Sequence, residues 1–190
     1  MKIFGGKFKG RNFYMPAEIQ PTQNMTRQAI FDLIGHDLSG IEFLELYAGS
    51  GAVGLEALSR GADKVTFVEK SPKCIDTIEE NLAILGLNNE GGLDDSVEII
   101  NADAMMAVKM FARQKRQFDV IFLDPPYGVG LVKKTLKTLM AYDILRHNCF
   151  VIVQYGNKDT LPDLDEGRVS VVKHRKYGKS FLTVLEKIAS

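Results

Sequence analysis

The chain has 190 residues, of which 45% are hydrophobic and 25% charged. That composition suits one domain with a single sizeable core and excludes disordered and collagen-like chains. Twenty-four Lys and Arg balance twenty-four Asp and Glu, and no apolar run reaches the roughly 18 to 20 residues of a membrane span. The opening MKIFGGKFKGRNF carries cations with no apolar stretch behind them, so a soluble, cytoplasmic protein is expected. Cys74 and Cys149 lie in apolar surroundings and read as reduced core thiols. His36, His147 and His174 share no ligand spacing with another His, Cys or carboxylate, so no metal site is expected.

In chain order, the first fifteen residues, with Gly5, Gly6 and Gly10 between short apolar runs, predict a small hairpin. From Thr22 or Gln23 to His36, Met25, Ala29, Ile30, Leu33 and Ile34 recur at helical spacing behind Pro21. An alternation of strands and helices follows. Glu42 to Tyr47 reads as a buried strand, then a glycine loop leads into a helix ending near Arg60. Lys64 to Glu69 is the next strand, and Ser71-Pro72 opens a helix closed by Gly86. Val97 to Ile100, Phe118 to Leu123 and Cys149 to Tyr155 read as further strands. Helices from Asp103 to about Arg113 and from Leu131 to Ala141 separate them. The last two segments, Arg168 to Lys176 and Ser180 to Lys187, have no helix between them and predict an antiparallel hairpin. The expected fold class is α/β: a Rossmann-like, mostly parallel sheet with helices on both faces. In such sheets ligands bind beyond the carboxyl ends of the strands.

After the first strand, Gly49, Gly51 and Gly54 match GxGxxG between a strand and a helix, with Glu69 ending the next strand. This points to a ribose-bearing cofactor and by itself fits a nicotinamide dinucleotide equally well. Glu45 separates the two. A carboxylate there opposes a pyrophosphate but favours the ammonium and sulfonium of S-adenosylmethionine; a capped strand end is the structural alternative. Glu69 would accept from ribose hydroxyls. Asp103 is placed to accept from the adenine amino group, to cap its helix, or both.

Asp124-Pro125-Pro126-Tyr127 follows the strand expected beside the first. Two prolines remove two backbone donors and stiffen the turn. The Asp124 carboxylate and the Pro125 carbonyl are then fixed acceptors suited to an exocyclic NH2, and Tyr127 offers a face on which a base can stack.

The segments YAGSGAVGLEALSRGA, FVEK, NADA and FLDPPY resemble the class I methyltransferases that modify exocyclic amines. With the opening IFGGKFKGR and the QPT…R…IFD segment, the chain closely resembles the RsmD-type bacterial 16S rRNA (guanine-966-N2)-methyltransferases. The resemblance implies a seven-stranded sheet, S-adenosylmethionine as donor with S-adenosylhomocysteine as product, and N2 of a guanine in 16S rRNA as acceptor. The substrate would be naked RNA or a 30S ribosomal particle in assembly, and the enzyme a monomer. The implied cofactor contacts are Thr22, Glu45, Tyr47, Ala48, Gly49, Ser50, Gly51, Gly54, Glu69, Lys70, Asp103 and Ala104, with Asp124, Pro125, Pro126 and Tyr127 at the reacting amine. The family's helix entry usually carries charged residues where this chain has Gln20, Asn24, Met25 and Gln28.

Charge along the chain is segregated, with basic stretches at both ends. Lys7, Lys9, Arg11, Arg27, Arg175 and Lys176 are the expected phosphate contacts. Residues 1–20 would form an RNA-contacting extension and 21–190 the methyltransferase domain. The alternatives keep the chemistry and move the acceptor to adenine N6 or a protein glutamine amide, or discard catalysis for a binding module, or substitute a nicotinamide oxidoreductase.

Overall fold

A computed structural model describes residues 1–15, 24–89, 92–164 and 168–188. The elements are α1 (Asn24–Ile34), β1 (Glu42–Leu46), α2 (Ala52–Ser59), β2 (Lys64–Glu69), α3 (Pro72–Leu85), β3 (Asn88–Asn89), β4 (Gly92–Leu93) and β5 (Val97–Asn101). They continue with α4 (Ala104–Arg113), β6 (Phe118–Leu123), α5 (Leu131–Ala141), β7 (Leu145–Gly156), β8 (Val169–Tyr177) and β9 (Ser180–Lys187). Among the described residues seven strands form one sheet in the order β5-β2-β1-β6-β7-β9-β8. The five strands from β5 to β7 are parallel, and β9 and β8 complete the sheet antiparallel. Strand order reverses at β1, flanked by β2 and β6. The crevice above β1 is therefore where a doubly wound sheet receives a ligand.

The period-two alternation of the strands explains why helices cover both faces. Phe43, Phe67, Val120 and Phe122 point into one core with α2 and α3 residues such as Val53, Leu55, Ile78 and Leu82. Leu44, Val68, Ile121 and Leu123 point into the other, against Val108 and Phe111 of α4 and Leu136 of α5. Cys149 is buried in this second core and its thiol is pushed up to about 12 by burial, as suits an inert core cysteine.

The N-terminal segment folds back as expected, but on a single bridge between Lys2 and Asn12, with the Phe13 amide donating to the Met1 carbonyl at 2.9 Å. Ile3, Phe8 and Phe13 are buried in the same core as α2. Glu56 of α2 accepts from the amides of Phe4 at 3.0 Å and Gly5 at 2.8 Å.

Three expectations are corrected. The buried face of α1 is Thr26, Arg27, Ile30 and Phe31, whereas Met25 is 68% exposed. The helix is rotated because Arg27 is drawn inward to Glu56 and the Lys2 carbonyl. β7 begins at Leu145 rather than Cys149, since its first residues pair with β6 across a register shift. The pair β3–β4 was not anticipated, two residues per strand being too short to show a period.

Candidate active site

A cavity of about 540 Å³ opens above the carboxyl ends of β1, β2 and β6, within the usual range for a small-molecule site. Of the residues named from the glycine and acidic motifs, Glu45, Tyr47, Ala48, Gly49, Ser50, Glu69 and Lys70 line it on one side. Asp124, Pro125, Pro126 and Tyr127 line it on the other. The two motifs, 75 residues apart between Gly49 and Asp124, thus meet because β1 and β6 are parallel neighbours.

Strand β1 ends where Tyr47 turns to a φ of 59° and ties its hydroxyl to Thr135 Oγ1 at 2.6 Å. Glu45, 2% exposed, then accepts from the amides of Gly54 at 2.7 Å and Val53 at 3.3 Å. Its carboxylate therefore fills the first turn of α2, where a dinucleotide fold would seat a pyrophosphate. Burial pushes Glu45 up to about 8 against the pull of those amides, and the nearby Asp124 adds to the rise. A cation in the cavity would hold it ionised. Gly54 is a packing requirement and does not line the cavity. A Cβ there would stand 2.3 Å from the Phe67 ring and 2.6 Å from Glu45 Oε2. Gly51, also outside the lining, begins α2 with a left-handed φ of 76°.

Glu69 is held by three backbone amides: Gly49 to Oε2 at 3.0 Å, and Lys70 and Ser71 to Oε1 at 2.8 and 2.9 Å. An ionised carboxylate offers about four acceptor positions, so a fourth remains for a hydroxyl donor. Asp103 caps α4 through the amides of Met105 and Met106. It stands at the adjoining strand end, since the following strands are joined by the Ala102 amide donating to the Glu69 carbonyl at 3.1 Å. Neither Asp103 nor Ala104 lines the cavity, and Ala104 is buried in the second core. Thr22 lies outside the described residues.

On the opposite wall Tyr127 is held in a hydrogen-bonded group. Its hydroxyl accepts from Gln154 Nε2 at 2.8 Å and lies close enough to Asp124 and Ser180 to interact with both. Burial and the Asp124 charge both raise its pKa, so it stays a protonated donor. The ring packs onto Gly156, where a Cβ would meet it at 2.9 Å. One edge of the ring is thus fixed by protein while 39% of the residue stays exposed.

Gln154, Lys179, Ser180, Phe122 and Ala52 also line the cavity and were missed in the sequence. Gln154 left a signal, a lone amide in the apolar run Cys149 to Tyr155. Lys179 and Ser180 left none, because the β7–β9 register that pairs Gly156 with Ser180 places them there.

The expected phosphate contacts are not brought together. Arg27 is fully buried, stacked near the rings of Phe4 and Phe13 and 3.8 Å from Glu56. No RNA phosphate reaches it, and its role is corrected to a core ion pair. The Lys7 amide bonds the Ser59 carbonyl and the Arg11 guanidinium bonds the Leu85 carbonyl, so they sit at the carboxyl ends of α2 and α3. The cavity is at the amino ends of those helices. The 14 residues of α3 put about 20 Å between the cavity end and Arg11, and the 8 of α2 about 12 Å between it and Lys7. Arg175 and Lys176 are exposed on β8, next to the turn that carries Lys179 into the cavity wall.

The residues present fit S-adenosylmethionine: Glu69 with an acceptor position left for ribose, and the buried acid Glu45, which a cation would hold ionised, in the turn where a dinucleotide fold would seat a pyrophosphate. No helix among the described residues is long and apolar enough to cross a membrane.

Comparison with known proteins gives concordant matches. The family described as Conserved hypothetical protein 95 matches residues 1–186. The chain is 32% identical to Ribosomal RNA small subunit methyltransferase D of Buchnera aphidicola, over 84% of this chain and 80% of that one. It is 30% identical to the protein of the same name from Haemophilus influenzae, over 93% of each. The solved structure of yhhF from Escherichia coli superposes with a TM-score of 0.83 at 27% identity, covering 100% of this chain and 99% of that one.

Proposed function

Since the chain belongs to the RsmD-type family of class I methyltransferases, we propose that it methylates the exocyclic N2 of a guanine in 16S rRNA, within a partly assembled 30S particle. The observation that carries this is the meeting of Glu69 and Asp124-Pro125-Pro126-Tyr127 across one cavity. The rRNA acceptor rests on the named relatives, the NH2 group on the two-acceptor wall, and guanine rather than adenine on the resemblance to the family.

S-adenosylmethionine, when bound, supplies a methyl group on a positively charged sulfur. Glu69 takes the ribose hydroxyls, and Asp103 at the next strand end takes the adenine edge. Glu45, drawn toward its ionised form by the cation, offsets the charge. Asp124 and the Pro125 carbonyl accept the two N–H bonds of the target amine and draw its lone pair out of conjugation with the ring. Tyr127, donating to Asp124, keeps that carboxylate aimed. Its ring carries the base, which must leave its stack to enter the cavity. Asp124 then receives the proton the amine sheds. Arg175 and Lys176 border the entrance. Lys7, Lys9 and Arg11, with the first twenty residues, meet a more distant stretch of RNA.

The test is methyl transfer from labelled S-adenosylmethionine to 16S rRNA and to 30S particles from cells lacking the gene, read by nucleoside mass spectrometry. N2-methylguanosine should form with the wild type. Asp124→Ala should lower the rate by at least 100-fold with cofactor affinity held within about threefold. Label in N6-methyladenosine or in protein would move the acceptor. No transfer to any substrate would favour the binding-module reading.

A further inference from the structure

A second cavity, of about 270 Å³, lies beside the first, between the start of α5 and the chain after β7. Lys133, Lys134 and Lys137 enter it from α5 and Lys158 from the other side. All four side chains are exposed, and none makes an ion pair among the described residues. The sequence of α5, LVKKTLKTLMA, contains no acid, so the helix lacks the i,i+4 pairs that usually accompany such a charge run. Lys133 and Lys134 also stand in its first turn, where the helix dipole disfavours cations. Two lysines at the positive end of a helix, with Lys137 one turn on and Lys158 facing them, are a local electrostatic conflict that no ion pair among the described residues relieves, and such conflicts belong to binding sites. The one acid in the cavity among the described residues is Asp159. Its Oδ2 is occupied by the Gly128 amide at 2.7 Å, and its Oδ1 is shielded from solvent without a hydrogen-bond partner.

The cavity is joined to the reaction site through the backbone. Tyr127 lines the first cavity and Gly128, the next residue, lines the second. The chain after β7 braces both, with Gly156 against the Tyr127 ring and Asp159 on the Gly128 amide. The second cavity's lining thus begins one residue from the ring on which an acceptor base would sit.

We propose that this cavity holds a phosphodiester of the RNA strand flanking the target nucleotide, anchoring the backbone while the base enters the first cavity. The inference rests on the function proposed above and gives that site its RNA-binding neighbour. It places the backbone contact on α5 and Lys158 rather than on Lys7, Lys9 and Arg11, which stand at the far end of the sheet.

The test uses the full chain with Lys133, Lys134 and Lys158 all changed to Gln, and a second variant with the same three changed to Arg. The probe is a single-stranded 16S rRNA fragment containing the guanine that the wild type methylates. Dissociation constants are measured across salt concentrations, with S-adenosylhomocysteine binding and single-turnover methylation at saturating RNA alongside. The Gln variant should bind RNA about 5- to 10-fold more weakly near 0.1 M salt, with a log–log salt slope shallower by about 0.7, the share of one phosphate on a single strand. Its S-adenosylhomocysteine affinity and saturated rate should stay within about twofold, and the Arg variant should recover the salt slope. Unchanged RNA affinity and slope in the Gln variant would overturn the proposal. So would a parallel loss of S-adenosylhomocysteine binding, which would mark the lysines as structural. Failure of the wild type to methylate either the RNA or 30S particles from cells lacking the gene would instead remove the underlying function, and this site with it.

Discussion

Gln154 shows how much of the site depends on residues that never touch the methyl group. Its Nε2 holds the Tyr127 hydroxyl at 2.8 Å, and that hydroxyl is engaged with Asp124. The amide therefore acts through the phenol on the carboxylate that aligns the amine. Gln154 is 3% exposed and its Oε1 has no partner, so the residue is kept in place at a desolvation cost. Gln154→Leu keeps the volume and removes the donor. The expected result is a kcat about tenfold lower with the S-adenosylmethionine KM unchanged, since one hydrogen bond of about 1 to 1.5 kcal/mol is lost from the aligned state. Steady-state kinetics against both substrates checks it; a raised cofactor KM with normal kcat would place Gln154 on the donor side instead.

At the scale of elements, the site is a set of strand ends, each tied to the helix that follows. Glu45 couples the end of β1 to the first turn of α2 through the amides of Val53 and Gly54. Its burial raises it from 4.5 to about 8, so the folded protein binds that proton more tightly than the unfolded chain. The associated stability is complete below about pH 4.5 and is lost as pH rises through 8. Glu45→Gln removes the titration. The wild-type Tm should therefore fall relative to Glu45→Gln between pH 5 and 8.5, by on the order of 5 °C without cofactor. Differential scanning calorimetry of the pair reads this, and a flat difference would show Glu45 ionised throughout. These strand-end motifs were legible in the sequence because each is short and its constraint is local: a glycine turn, an acid at a strand end, two prolines that remove donors. Lys179 and Ser180 were not, because antiparallel pairing with β7 brings them in from the end of the chain. The lysines of α5 were not singled out in the sequence, since Lys158, from a separate segment, is needed to turn that face into a cavity.

Across the whole molecule, the site occupies one end of the sheet and the clasp that closes the chain occupies the other. Arg27 shows why sequence reading failed there. An arginine between polar residues is read as exposed, yet its partner Glu56 is 29 positions away on another helix. Glu56 accepts from the amides of Phe4 and Gly5 and from Arg60 Nε, and lies 3.8 Å from Arg27. It thereby joins the N-terminal segment, α1 and α2. Both Arg27 and Glu56 are at most 1% exposed, and burial already lowers the Arg27 pKa against the pull of Glu56. Removing the Glu56 charge leaves a buried guanidinium uncompensated, which costs about 3 to 5 kcal/mol where a buried pair is broken. Glu56→Gln should accordingly lower the urea midpoint sharply and expose the Phe8 region to proteolysis, while leaving cofactor affinity intact in the molecules that remain folded. Urea titration with limited proteolysis measures both. A midpoint shift worth less than about 1 kcal/mol would mean that Arg27 is neutralised by Glu45, the other acid whose charge reaches it, and that the clasp is held by the apolar contacts of Ile3, Phe8 and Phe13 alone.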